Sequence, residues 1–272
     1  MISLLHADFT GLNYGAKSMA MGNAYISISD GPAAIFWNSS GLAYQQRYVL
    51  SVSHENIYSI PGFYNDFVAF SIPLDKIHLG VGISQMMLSG EYAEQVSVVS
   101  GAYHSAVGPV DMGIGVSMKH MYAHLMNTYD GSNPESDIAG LKVPGKLDAD
   151  VGAMIKYQRM TIGASARNIL QPEFKFDSES VGIEPAYGLG VNYAWKAGLI
   201  LSSDYHWDDH DYSWHIGSEI WFYNVFAPRL GVSDSDLTAG FGLKTEKWNL
   251  DGAVYAHETL GSTYRLEFSW AF

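Results

Sequence analysis

Along most of the chain, apolar residues recur at every second position. The last eleven residues show the rhythm: Tyr264, Leu266, Phe268, Trp270 and Phe272 alternate with Arg265, Glu267, Ser269 and Ala271. A strand has a side-chain period of two, so this segment carries one oily face and one wet face. Ile77, Leu79, Val81 and Ile83 alternate in the same way with His78, Gly80, Gly82 and Ser84. Val110, Met112, Ile114, Val116 and Met118 oppose Asp111, Gly113, Gly115, Ser117 and Lys119. From Gln46 onward the alternation predicts fourteen strands, at about 46–57, 63–72, 77–84, 92–105, 110–119, 146–157, 160–167, 187–195, 198–207, 212–222, 225–233, 236–244, 248–255 and 262–272.

The connections fall into two classes. Those after the even strands are tight: Pro73–Lys76, His104–Pro109, Gln158-Arg159, Trp195-Lys196, Tyr223-Asn224 and Thr245–Lys247. Several after the odd strands are longer and polar, at about 120–145, 169–184, 208–211 and 257–262. Short turns at one end, longer loops at the other and an even strand count are the features of an outer-membrane barrel. Lipid offers no hydrogen bonds, so such a sheet must close. The expected fold is therefore all-β, a fourteen-stranded antiparallel transmembrane barrel over residues 45–272. About eight strands suffice for side chains to fill a barrel, so fourteen leave a lumen that needs other material.

Residues 8–44 do not alternate and are the available filler. Small residues dominate their first half. Pro32-Ala-Ala-Ile-Phe-Trp37 predicts one short helix, started by Asp30 or Gly31 with Pro32 in its first turn. The segment resembles the N-terminal signature of the PorV/PorQ-like and FadL-like outer-membrane proteins. The matching residues are Gly15, Ala16, Met21, Gly22, Ala24, Tyr25, Asp30, Ala34, Trp37, Asn38, Gly41, Leu42 and Ala43. Lys17, Asn23, Gly31 and Ser39-Ser40 depart from it, and the loss of a proline after Asn38 loosens that turn. The resemblance implies a hatch inside a fourteen-stranded barrel, with Gly15, Met21, Gly22, Asp30, Trp37, Asn38 and Gly41 as hatch residues. Residues 1–7, ending in Leu5-His6-Ala7, are expected to be a signal-peptide remnant, although no charged n-region precedes them.

Composition changes the picture little. Of 272 residues 47% are hydrophobic and only 16% charged, with 28 Gly and 18 Tyr, which suits a barrel with aromatic girdles. There is no cysteine, hence no disulfide or thiolate metal site. A net charge of −13 argues against nucleic acid as a partner. The wet faces place Asp111, Asp150, Arg167, Asp204, Glu219, Arg265 and Glu267 in the lumen, together with Lys119, Lys156 and His215; such inward charges pair across strands or with a plug. His206-Trp-Asp208-Asp209-His210-Asp211 has the residue types of a metal cluster, but alternation scatters them, and no metal site is expected. No Gly-x-Ser-x-Gly elbow is present, and no catalytic residue or enzyme activity is expected. The methionines at 19, 21, 86, 87, 118, 121 and 126 could line an apolar path, but the favoured reading is structural, as gap-fillers or lipid-facing residues.

Three functions follow from the resemblance. One is a FadL-like conduit that takes hydrophobic small molecules past the hatch. The second is a PorV/PorQ-like accessory of type IX secretion that binds a translocon subunit or cargo domain through its outer loops. The third is a structural envelope barrel. Outer-membrane lipid is the expected surrounding, and no cofactor is expected beyond bound lipid or detergent.

Overall fold

The computed structural model describes residues 14–125, 142–176, 179–257 and 259–272. The signal-remnant expectation for residues 1–7, residues 8–13 of the expected hatch, and residues 126–141 lie outside the described residues. The alternating segments form β1 (Val49–Asn56), β2 (Phe63–Leu74), β3 (Ile77–Leu88), β4 (Tyr92–Val107), β5 (Val110–Leu125), β6 (Lys142–Tyr157) and β7 (Met160–Arg167). After a small hairpin, β8 (Glu173–Phe176) and β9 (Glu179–Gly182), come β10 (Ala186–Ala194), β11 (Leu199–Trp207), β12 (Tyr212–Ile220), β13 (Phe226–Ser233), β14 (Asp236–Lys244), β15 (Trp248–His257) and β16 (Gly261–Ala271).

All but β8 and β9 join one closed antiparallel barrel of fourteen strands, with β7 pairing β10 and β16 closing on β1. Each predicted strand corresponds to one barrel strand. Closure is sealed at the tight-turn end, where the Phe272 amide donates to the Tyr48 carbonyl at 2.9 Å. The turns are those that right-handed twist selects: Asp75, Gln158 and Asp234 all take positive φ at hairpin corners.

Period-two alternation sorts the two faces. Outward lie Val81, Ile83, Leu189, Val191, Trp214 and Leu266, all exposed. Inward lie Ser51, Ser100, Ser117, Asn192, Ser202 and Thr238, all buried. A contiguous apolar belt of this extent needs a non-aqueous surrounding. No described helix is long and apolar enough to cross a membrane.

Two loop expectations are corrected. The stretch around 169–184 is not a plain loop: it holds the β8–β9 hairpin, which pairs Glu173 with Gly182 and Phe174 with Val181. The stretch around 120–145 is shorter at both ends, because β5 continues to Leu125 and β6 starts at Lys142.

Candidate functional site

Residues 14–44 pack against the inner faces of strands all round the barrel. They form α1 (Ala16–Ala20), α2 (Ala34–Trp37) and a 3-10 turn (Ser39–Tyr44). Only α2 was expected. The expectation that Asp30 or Gly31 starts it is corrected: the N-cap is Ala33, which offers no side-chain cap. Asp30 is engaged elsewhere, accepting from Lys17 Nζ and Tyr25 Oη, each at 2.6 Å.

Small residues let this segment touch the wall. A Cβ on Gly217 would lie 2.3 Å from the Met21 carbonyl oxygen, and one on Gly231 would lie 2.2 Å from the Gly22 amide nitrogen. Gly22 itself has φ +63° and runs against the Val232 backbone, so no other residue fits there without strain. Asn38 is the hinge of the segment's second half. Its Nδ2 donates to the carbonyls of Ile26 (3.1 Å) and, on β6, Ala153 (3.3 Å). Its Oδ1 accepts from the Ser40 amide (3.2 Å) and hydroxyl (2.5 Å). Ser40 thereby fixes the turn that the missing proline was expected to loosen. Trp37 donates from Nε1 to the Tyr14 carbonyl at 2.6 Å, and Gly41 lies directly beneath the Ser29 carbonyl.

On β10–β16 the wall meets this segment with charge. Lys17 Nζ sits 2.6 Å from Asp30 and 3.5 Å from Glu219. Glu219 accepts from Arg229 Nε at 2.6 Å, and Arg229 Nη1 donates to Asp251 at 2.6 Å. The result is one alternating chain, Asp30–Lys17–Glu219–Arg229–Asp251, from the segment to β15. Burial works against the Lys17 ammonium, but Asp30 and Glu219 outweigh it and raise its pKa above the ordinary value. Glu267 accepts the Ala16 amide at 2.9 Å, at the start of α1. Asp204 accepts the Ile26 amide at 2.6 Å, and His215 Nδ1 meets the Gly22 carbonyl at 2.8 Å. Below the chain lies a polar cavity of about 330 Å³, lined by Lys17, Asp30, Glu219, Arg229, Asp251 and Glu267 and reaching strand residues of the tight-turn end such as Lys244 and Asn249.

The remaining predicted lumen charges separate. Arg265 is fully buried and pairs with Glu55. Asp150 pairs with Lys119 at 2.6 Å. Arg167 stands over the Trp37 ring, 5.7 Å from its centroid. Asp111 keeps the inward register but lies exposed at the tight-turn mouth, 3.5 Å from His104, because β5 begins there. It is on the lumen side of the sheet without being inside the lumen.

The long-loop end of β2–β5 is different. Its inward residues include the buried apolar Phe67, Met86, Val96, Val98, Met121 and Ala123, interleaved with the buried polar Asn65, Ser84 and Glu94. They form one continuous cluster with Tyr14, Phe36, Trp37, Leu42 and, from the hairpin region, Phe174 and Ile183. The Tyr14 and Phe36 rings stack at 4.0 Å, and Phe67 closes on both. The sequence does not mark this apolar half-wall as a unit; Met86 and Met121 are among the methionines whose readings are gap-filler, lipid-facing residue or lining of an apolar path. Of the other singled-out methionines, Met19 and Met21 are buried in the N-terminal segment and Met118 faces outward. The motif around 206–211 does scatter: His206 points inward, 6.0 Å from Trp37 between ring centroids. Its Asp208 and His210, however, converge with Glu184 at the rim, with ligand atoms within 4.8 Å of one another.

The fold and interior thus define a closed barrel of the outer-membrane type whose N-terminal segment packs against its inner wall. The model of the family described as "F plasmid transfer operon, TraF, protein" matches residues 72–212, just over half of the 272 residues. The chain belongs to that family. No curated protein matches it in sequence. Among solved structures, a crystal structure of the Pseudomonas putida toluene transporter TodX aligns with a TM-score of 0.66 at 11% identity, covering 95% of this chain and 98% of that one. A second TodX structure gives a TM-score of 0.63 at 12% identity, over 96% of this chain and 99% of that one. At such identities the likeness is one of fold.

Proposed function

We propose that this protein is a hatch-plugged conduit for hydrophobic small molecules across the outer membrane. Residues 14–44, with the residues before them, act as the hatch. A ligand enters at the long-loop end, rests against the apolar half-wall and leaves past the hatch or sideways into lipid. The observation that carries this reading is the apolar cluster of Phe67, Met86, Val96, Met121 and Ala123 on the inner wall, with the buried polar Asn65, Ser84 and Glu94 set among it. Apolar lining with a few placed polar groups is what small apolar ligands select. The likeness to a toluene transporter points the same way. The reading includes no chemical step and assigns no catalytic residue.

The test is uptake of a radiolabelled neutral arene by cells whose outer membrane otherwise excludes it. Cells carrying this barrel are expected to take up the arene faster than cells carrying an unrelated barrel of equal abundance. Equal rates would overturn the proposal.

A further inference from the structure

On β4 and β5 the inward face turns from polar to apolar part of the way up. Low on β5, Ile114, Val116 and Met118 face outward and are exposed, while Ser117 and Lys119 face inward. Higher up, His120 and Tyr122 face outward and the apolar Met121 and Ala123 face inward. On β4 the change comes between Val99, outward, and the inward pair Val96 and Val98, beside which Gln95 and Ser97 face out. His54, Asp66, Gln85 and Gln95 lie opposite one another across β1, β2, β3 and β4, and His54 Nδ1 meets Asp66 at 2.6 Å. A row of polar residues on the outer face marks where lipid ends. Around and above it these strands form a lip whose inner face carries the apolar Met86, Val96, Met121 and Ala123 beside the buried polar Glu55, Asn65, Ser84 and Glu94.

The hairpin covers that lip from within. Its stalk is tied to β6 by three bonds. The Asn168 amide donates to Asp150 (2.8 Å), the Ile169 amide to the Ala149 carbonyl (3.0 Å) and the Leu170 amide to Asp148 (3.1 Å). Beyond Pro172 the hairpin has four-residue strands whose backbone partners are each other. Two-stranded hairpins of this length are marginal without a packed face. Here the face is Phe174, wholly buried, with Val181 opposite it in register and Ile183 following. Glu173, Lys175 and Ser180 face solvent.

Resting on the conduit reading, we infer that the space filled by the Phe174 ring is the ligand site, that it takes a neutral apolar molecule of about one aromatic ring, and that the β8–β9 hairpin swings out on its 168–171 stalk when that molecule enters. The lip supplies the apolar wall, the stalk the fixed end, and the side chain a removable occupant whose size sets the ligand's size.

The full chain, labelled at position 174 alone with 4-fluorophenylalanine and placed in lipid nanodiscs, is titrated with toluene as the probe. The fluorine resonance is expected to move from a buried to a solvent-exposed position, saturably. Phe174→Ala is expected to bind toluene about tenfold more tightly, since the competing ring is gone, and Phe174→Trp more weakly than the wild-type chain. Arene uptake by cells is measured in parallel on the wild-type chain. If uptake occurs while the fluorine signal stays buried and Phe174→Ala binds no better, the hairpin site is wrong and the conduit reading stands. If uptake fails, the conduit reading falls and takes the site with it. A wild-type-like fold of Phe174→Ala is checked by its heat-resistant migration on gels. Should that variant fail to fold, the fluorine signal of the labelled chain decides by itself.

Discussion

The two halves of the barrel interior hold the same N-terminal segment by different physics. On β12–β16 the wall offers Glu219, Arg229, Asp251 and Glu267, and the segment answers with Lys17, Asp30 and the Ala16 amide. On β2–β5 the wall offers Phe67, Val98 and Met121, and the segment answers with Tyr14, Phe36 and Leu42. The charged side is directional: each bond fixes a distance and a partner. The apolar side fixes only volume. A segment clamped on one side and merely packed on the other should come away from the packed side first, which is the side where the β8–β9 hairpin and the apolar cluster lie.

The clamp should therefore be the more sensitive to substitution. Arg229→Met leaves Glu219 and Asp251 buried without their common partner and should cost about 3–5 kcal/mol in urea unfolding of the folded barrel. It should also raise the protease sensitivity of residues 14–44; a loss below about 1 kcal/mol, the worth of an exposed pair, would show that the chain of charges is slack. Met121→Ala, on the packed side, should cost about 3 kcal/mol by the same measurement, through the lost apolar burial and the cavity it leaves. Protease sensitivity of the segment should then stay nearer the wild-type level, and the reverse ranking of the two variants would break the comparison. Asn38→Ala removes two donations and the acceptor for Ser40 from the segment's centre. It should cost about 2 kcal/mol and loosen both sides alike, as read by hydrogen exchange at Ile26 and Ser40.

The smallest effect concerns the rim. His210 is exposed, and its hydrogen bond to Glu184 raises its pKa, with further help from the nearby Asp208 and Asp209. A raised folded pKa means a contribution present in full below the ordinary histidine value of about 6.5 and lost as pH rises through the folded value. The local order of the β11–β12 turn, followed by the His210 ring resonances, should thus fall slightly from mildly acidic to mildly alkaline pH. In Glu184→Gln that drop should shrink and the midpoint should move down.

The barrel was legible because lipid and lumen impose opposite demands on successive residues. That single rule placed all fourteen strands, and closure followed because lipid offers an open sheet edge no hydrogen bonds. The same rule hid the apolar half-wall. At Met86-Met87 and Val98-Val99 both faces are apolar, so the period vanishes. At His120–Ala123 the alternation inverts, which shows the edge of the lipid band only once neighbouring strands are in register. The hairpin left a trace, with Phe174 and Phe176 alternating with Glu173 and Lys175, but four residues are too few to separate a strand from a polar loop. Gly22, Trp37 and Asn38 stand out in the sequence as part of a signature. What they touch was not readable, because the partners Gly231, Tyr14 and Ala153 carry no mark of their own. Glu219 and Arg265 were recognised as inward charges, yet only the fold shows that one clamps the segment while the other pairs with Glu55.

The central claim is that the leading segment fills the lumen, and ion flow tests it most directly. Single barrels lacking residues 8–44 should conduct ions across planar bilayers in large, steady steps, whereas the full chain should stay nearly silent. Equal conductance from the two proteins would contradict the account.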